Sequence, residues 1–84
     1  MAYTVIVKPA AERELKKLER DIQQRILRAL EALADNPFPQ GCKRLAGLKL
    51  YRVRVGDYRI IYLAEQRQIT VAKVAHRRDV YRNL

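Results

Sequence analysis

Arginine side chains recur in the second half of the sequence at positions where several could bind one phosphate. Arg52, Arg54 and Arg59 lie on either side of the dipeptide Gly56-Asp57, in the segment YRVRVGDYR. A guanidinium group stays charged at neutral pH and offers a planar fork of donors that matches two phosphate oxygens. Several such groups in one patch can stabilise a phosphate that gains charge during a reaction. The pattern therefore predicts a binding site for a phosphodiester.

The last nine residues, HRRDVYRNL, add chemically different groups to this set. His76 supplies a titratable imidazole, Arg77 a further cation, and Tyr81 an aromatic ring that can stack on an unpaired base. In the alternative without a functional role, His76 is an ordinary surface residue and the three strand arginines form a solvated polar face. We favour the anion site because the only acid near these arginines is Asp57 in the turn.

Other kinds of active site are not predicted. The sequence has no paired carboxylates at a catalytic spacing, no glycine-rich phosphate loop, no serine or threonine nucleophile motif and no cluster of metal ligands. Its single cysteine, Cys42, and single histidine cannot form a structural zinc site, so we expect neither a metal nor a cofactor. Cleavage of RNA by its own 2′-hydroxyl needs only cations and a proton carrier, and this chemistry remains open.

A hairpin positions the arginines. Gly56-Asp57 is a two-residue turn of the Gly-X type between two alternating segments, and such a turn fixes the register of its strands. Arg54 should then face Arg59, and Arg52 should face Ile61. One face of the hairpin is apolar and suits packing against helices, and it carries Tyr51, Val53, Val55, Tyr58, Ile60 and Tyr62. The other face carries the arginines. Like charges directly opposite each other in a sheet reduce stability, which also favours a functional role.

The remaining segments predict two helices and two further strands. Residues 2–8 and 69–75 have strand character, and an apolar stripe at helical spacing, broken by an apparent capping pair at Asp21 and Gln24, predicts helices over 10–19 and 21–35. Residues 36–49 are expected to form a basic loop. The predicted fold is α+β, a helical hairpin on one face of a small antiparallel sheet in the order β-α-α-β-β-β. These elements are followed by a short basic tail, which could be helical.

The composition of the chain indicates how many domains it forms, which partners it attracts and where it is located. The 84 residues suit one domain, 1–84, and 18 lysines and arginines against 9 acids give a formal charge of +9. Such a charge attracts polyanions, so nucleic acid or an acidic protein is the expected partner, with a merely soluble basic surface as the alternative. The sequence shows no signal peptide and no membrane-spanning run, and we expect a cytoplasmic protein.

The segments LYRVRVGDYRIIY (50–62) and VAHRRDVYRNL (74–84), preceded by the helical hairpin and by KRLAGL (43–48), resemble the RelE branch of the RelE/ParE toxin superfamily. The similarity covers essentially the whole chain. It implies the toxin component of a type II toxin-antitoxin system, a ribosome-dependent endoribonuclease that cleaves mRNA in the A site and inhibits translation. The implied partners are a cognate antitoxin, the ribosome and mRNA, with a toxin-antitoxin hetero-oligomer as one possible assembly.

The resemblance also assigns roles by motif position. It places the family's basic strand pair on Arg52 and Arg54, its phosphate-binding arginine on Arg59, its tail arginine on Arg77 and its stacking tyrosine on Tyr81. Further contacts to RNA or the ribosome are expected from the surrounding basic residues Lys43, Arg44, Lys49, Arg78 and Arg82.

One departure from the family pattern concerns the proton acceptor. Well-known members have lysines where this chain has Arg52 and Arg54, and arginine is a poor general base because it almost never loses its proton. His76 is then the best titratable candidate, and Arg77 could mimic the family's acid. Two alternatives stay open: a ParE-like inhibitor of DNA gyrase without catalysis, and a non-enzymatic basic nucleic-acid-binding module.

Overall fold

The computed structural model describes residues 2–45, 47 and 49–82. Two helices pack on one face of a five-stranded sheet, which confirms the predicted α+β class. Ala46 and Leu48 of the expected loop, and Asn83 and Leu84 of the tail, lie outside the described residues. In chain order the elements are β1 (Thr4–Val7), α1 (Pro9–Lys16), α2 (Arg20–Asp35), β2 (Lys43–Arg44), β3 (Leu50–Val55), β4 (Tyr58–Glu65) and β5 (Gln68–His76).

The sheet is mixed, and this differs from the antiparallel sheet that the sequence predicts. Its strand order is β1-β5-β4-β3-β2, and β1 runs parallel to β5 while the other three pairs are antiparallel. The two-residue strand β2 pairs Lys43 with Arg52, inside a segment expected to be loop. Alternation along a segment predicts that a strand forms, but the direction of a distant partner depends on how the helices return the chain.

The corner between the helices is built differently from the predicted capping pair. Glu19 occupies the N-cap position of α2 without a side-chain cap, and Asp21 lies in the first helical turn, so the expected cap at Asp21 is wrong. Gln23 stabilises the corner instead, since its Nε2 donates to the carbonyl of Leu18 at 2.7 Å and to that of Lys16 at 3.2 Å. These carbonyls lie at the end of α1, where helical partners run out.

The main core lies between the helices and the sheet. Both helices contribute from the predicted apolar stripe, and the two longest strands, β4 and β5, contribute side chains from the face that the helices cover. The buried members are Ala11, Leu15, Ile26, Leu30, Leu33, Ile60, Tyr62, Ile69, Val71 and Val74. Within the part of the chain that is described, no helix is long and apolar enough to cross a bilayer.

Tyr62 is the one polar side chain of this core. Its hydroxyl donates to the carbonyl of Pro37 at 2.6 Å and lies 3.2 Å from the Sγ of Cys42, while its ring stacks on Tyr51 at 5.8 Å between centroids. Burial, together with the contact to Cys42, raises the pKa of Tyr62 well above its ordinary value. The hydroxyl therefore stays protonated and ties the segment after α2 to the central strand.

Replacing Tyr62 with phenylalanine should lower the free energy of unfolding by about 1 to 3 kcal/mol, because the buried Pro37 carbonyl loses its donor. Urea denaturation measures this directly. Tyr58→Phe is the matched control, since no described residue hydrogen-bonds its hydroxyl, and it should leave the midpoint nearly unchanged. Equal losses in the two variants would contradict a specific contribution from the Tyr62 hydroxyl.

Candidate active site

The β3–β4 hairpin has the register that its turn predicts. Arg54 lies opposite Arg59 and Arg52 opposite Ile61, and Gly56 adopts a φ of +58° that favours glycine at this turn position. The apolar side packs on the helices as expected. The opposite side, which we call the arginine face, carries Arg52, Arg54, Arg59 and Ile61.

Arg59 is held at the turn in a way that leaves part of its guanidinium free. Its Nη1 donates to the carbonyls of Gly56 at 3.0 Å and Tyr58 at 2.9 Å, which uses both hydrogens of that nitrogen. Among the described residues, no acceptor engages Nε or Nη2. That edge of the guanidinium is the planar fork that binds two oxygens of one phosphate.

The start of the C-terminal tail is attached to the same turn. The backbone N–H of Arg77 donates to the carbonyl of Asp57 at 2.8 Å, and the Arg77 side chain is exposed. Arg59 and Arg77 are thereby brought to one end of the hairpin although 17 positions separate them in the sequence. Neither forms an ion pair with an acid in the described part of the chain, so both charges are available to an anion.

The tail folds back over the arginine face as successive hydrogen-bonded turns, without a regular helix. The amides of Asp79 and Val80 donate to the carbonyl of His76, and that of Arg82 donates to Asp79. Ile61 and Val80 are fully buried yet lie outside the main core. Because Ile61 projects from the arginine face, its burial requires a cover there, and the tail provides it. Tyr81 remains 53% exposed, as a stacking residue requires.

Arg52 is buried, in contrast to the accessible role that the sequence predicts. Its exposed fraction is 6%, its Nε has no hydrogen-bond partner, and it pairs with no described acid. A buried Nε without a hydrogen-bond partner is unfavourable, because its N–H has left water without a compensating contact. Arg54 is exposed and so reaches solvent directly.

His76 lies on the other side of the sheet from the arginines. It pairs with Tyr58, and their rings meet edge to face at 5.5 Å on the side where the helices pack. Its Nδ1 accepts a hydrogen bond from the amide of Arg78 at 3.2 Å. The structure therefore does not bring His76 together with Arg54 and Arg59, and it weakens the case for His76 as their proton acceptor.

The outer basic residues surround this site unevenly. Lys43 pairs with Arg52 and so lies on the arginine face, whereas Arg44 pairs with Tyr51 and lies on the helix side. Lys49 and Arg78 are exposed, and Arg82 forms an exposed ion pair with Asp79 at 3.3 Å.

Two residues near the site were not predicted. Lys73 pairs with Ile61 on the arginine face, and Arg25 of α2 approaches the turn, its Nη1 lying 3.3 Å from the position that a Cβ on Gly56 would occupy. The sequence does carry a signal for Lys73, because the buried Val71 and Val74 are three residues apart, where strand alternation would give two. The approach of Arg25 is a tertiary contact without a local signal.

The fold and the cationic face define the class to which the protein belongs. The family described as the ParE toxin of the type II toxin-antitoxin system parDE matches residues 5–81. A RelE-like toxin protein of Escherichia coli is 34% identical, over 96% of this chain and 92% of its own length. The chain belongs to the RelE/ParE family of toxins of type II toxin-antitoxin systems.

Solved structures agree with this assignment and indicate the RelE type. A chain of the archaeal RelE–RelB complex from Pyrococcus horikoshii superposes with a TM-score of 0.83 and 28% identity, covering 95% of this chain and 100% of that one. A chain of the RelBE2 toxin-antitoxin complex from Mycobacterium tuberculosis gives a TM-score of 0.78 and 26% identity, covering 90% and 99%.

Proposed function

We propose that this toxin is a ribosome-dependent endoribonuclease that acts in the cytoplasm on mRNA in the ribosomal A site. The observation that carries the proposal is the meeting of Arg59 and Arg77 at the Gly56-Asp57 turn, where no described residue engages one donor edge of Arg59 or forms an ion pair with either arginine. A face of this kind suits a phosphodiester that gains negative charge in its transition state.

In the proposed reaction the RNA supplies its own nucleophile. The 2′-oxygen bonds to the adjacent phosphorus and loses its proton, while the bond from phosphorus to the 5′-oxygen of the next nucleotide breaks and that oxygen takes up a proton. The products are a 2′,3′-cyclic phosphate and a 5′-hydroxyl end. Arg54, Arg59 and Arg77 stabilise the charge on the phosphoryl oxygens, and Arg52 joins them when the tail admits the substrate. Tyr81 stacks on a base, which holds the scissile bond in place.

The proton acceptor is a group other than the arginines and His76. The arginines stay charged, and His76 lies across the sheet. The remaining candidates for the proton acceptor are lysines of the arginine face, such as Lys43 beside Arg52, and groups of the ribosome.

The surrounding cations extend the proposed contact with RNA and the ribosome. Lys43, Lys49 and Arg78 are exposed, so they can contact phosphates without rearrangement, whereas Arg82 must leave its ion pair with Asp79 and Arg44 lies on the helix side of the sheet. Their interactions should be strongly dependent on salt concentration.

Inhibition of DNA gyrase is the second candidate function, because the matching family model is described by the ParE toxin. Cleavage assays separate the two. Purified toxin is incubated with programmed ribosomes and, separately, with gyrase and supercoiled DNA, and the 5′ ends of the mRNA are mapped. Cuts in the mRNA at fixed positions within codons, with 5′-hydroxyl ends, support the nuclease proposal. Intact mRNA together with inhibited gyrase overturns the nuclease proposal in favour of gyrase inhibition.

We further propose a cognate antitoxin as the protein partner, since the two superposed relatives come from toxin-antitoxin complexes. Co-expression with the product of the adjacent gene should restore growth. In the purified pair, amides within residues 50–82 should exchange more slowly with deuterium than in the free toxin, because an acidic or amphipathic segment would cover the arginine face. Growth rescue without protection of this segment would place the antitoxin on another surface.

A further inference from the structure

Strand β5 contains an irregularity at the level of the site. Lys73 pairs with Ile61, but Val71 pairs with Tyr62, so Ala72 is an extra residue without an opposite partner. Both Val71 and Val74 remain buried in the main core on either side of it. An extra residue of this kind re-aims the side chains that follow it, and bulges often lie next to functional sites. Here it directs Lys73 onto the arginine face.

The amine of Lys73 contacts the tail backbone. Its Nζ donates to the carbonyl of Asp79 at 3.3 Å and to the carbonyl of Arg82 in a short hydrogen bond. The Asp79 carbonyl also accepts from the amide of Arg82, so Lys73 adds a second donor there, and it supplies a donor to the carbonyl of Arg82 at the end of the described tail. Lys73 thus connects a rigid central strand to the segment that carries Arg77 and Tyr81.

Few other contacts hold this side of the tail. A groove of about 490 Å³ separates it from α1, and its lining combines four alanines and Val74 with five charged residues, Lys73 and Arg82 among them. The ion pair of Arg82 with Asp79 is internal to the tail and exposed, so it cannot fix the tail to the sheet. Val80 anchors one point, the Arg77 amide a second, and Lys73 a third.

We propose that Lys73 is a positioning residue, which holds the tail against the arginine face and so sets where Arg77 and Tyr81 meet the RNA. The role of those two residues rests on the proposed nuclease function. The attachment of the tail by Lys73 does not.

Three variants test the attachment. Lys73→Met keeps most of the aliphatic stem and removes the donor, Lys73→Arg restores a charged donor, and Lys16→Met removes an exposed lysine of α1 as a matched control. Hydrogen exchange of the full chain is followed at the amides of Asp79, Val80 and Arg82. We expect exchange about tenfold faster in Lys73→Met, the effect of losing charged hydrogen bonds, and rates near wild type in the other two. Unchanged tail exchange in Lys73→Met overturns the proposal.

Kinetics on programmed ribosomes test the positioning role. Because misplaced catalytic groups lower turnover more than binding, Lys73→Met should lower kcat by about 10- to 100-fold with a much smaller change in KM. Lys73→Arg should recover most of kcat. Faster tail exchange with unchanged kcat overturns the positioning role. If wild type itself cleaves no mRNA, the nuclease proposal fails, and the exchange data still decide whether Lys73 attaches the tail.

Discussion

Replacing Arg59 with alanine is expected to lower the rate of mRNA cleavage by about 10² to 10³ while the protein stays folded, the usual effect of losing one charge-stabilising donor. The residue combines a position at the turn with a donor edge that no described residue engages. Removing it also ends the opposition of like charges with Arg54, which offsets the two lost hydrogen bonds to the turn.

Single-turnover cleavage on programmed ribosomes measures this effect, and urea denaturation checks the fold. Arg77→Ala should show a loss of similar size, because Arg77 meets Arg59 at the same turn. Arg28→Ala is the control, since Arg28 is exposed on α2. Arg59→Lys keeps the charge without the fork and should recover only part of the rate. Growth arrest at the wild-type level by folded Arg59→Ala would remove the central assignment.

Replacing Arg52 with methionine is expected to change stability and activity in opposite directions. The free energy of unfolding should rise by about 1 to 3 kcal/mol, because the variant no longer buries a polar group without a partner. Methionine keeps a long flexible apolar chain that can fill the space under the tail. Cleavage should fall by about 10²-fold if the guanidinium reaches the phosphate during turnover.

Urea denaturation and the ribosome assay give the two readouts for this variant. Arg28→Met is the matched control, because Arg28 is exposed on α2 away from the site and its replacement relieves no buried polar group. A less stable Arg52→Met would show that the buried guanidinium contributes to folding. If the Arg52→Met variant is more stable but cleaves mRNA at the wild-type rate, Arg52 has no role in cleavage.

Much of the scaffold was predictable because local rules govern it. A two-residue turn fixes the register of a hairpin, and strict alternation then assigns each side chain to a face, so the arginine face and the apolar face of β3 and β4 are confirmed. The helical stripe from Leu15 to Leu33 is confirmed for the same reason, since its spacing depends only on helix geometry.

The errors arose where distant parts of the chain meet. The parallel pairing of β1 with β5 and the short strand β2 depend on strand partners far away in sequence. The burial of Arg52 depends on elements outside its own strand, which include the strands that carry its partners Lys43 and Ile61. The residues next to these positions in the sequence carry no signal for the parallel pairing or for the burial of Arg52.

Residue types and the turn thus determined by themselves which arginines share a face and what chemistry they favour. The tertiary structure decided which other groups join the arginines. The bulge at Ala72 determines that Lys73 joins them and that His76 does not. If Ala72 were part of a regular strand rather than a bulge, simple alternation from Ile69 and Val71 would have put His76 on the arginine face and Lys73 among the core residues. The bulge exchanges these two positions, because one inserted residue reverses the face of every side chain that follows it in the strand.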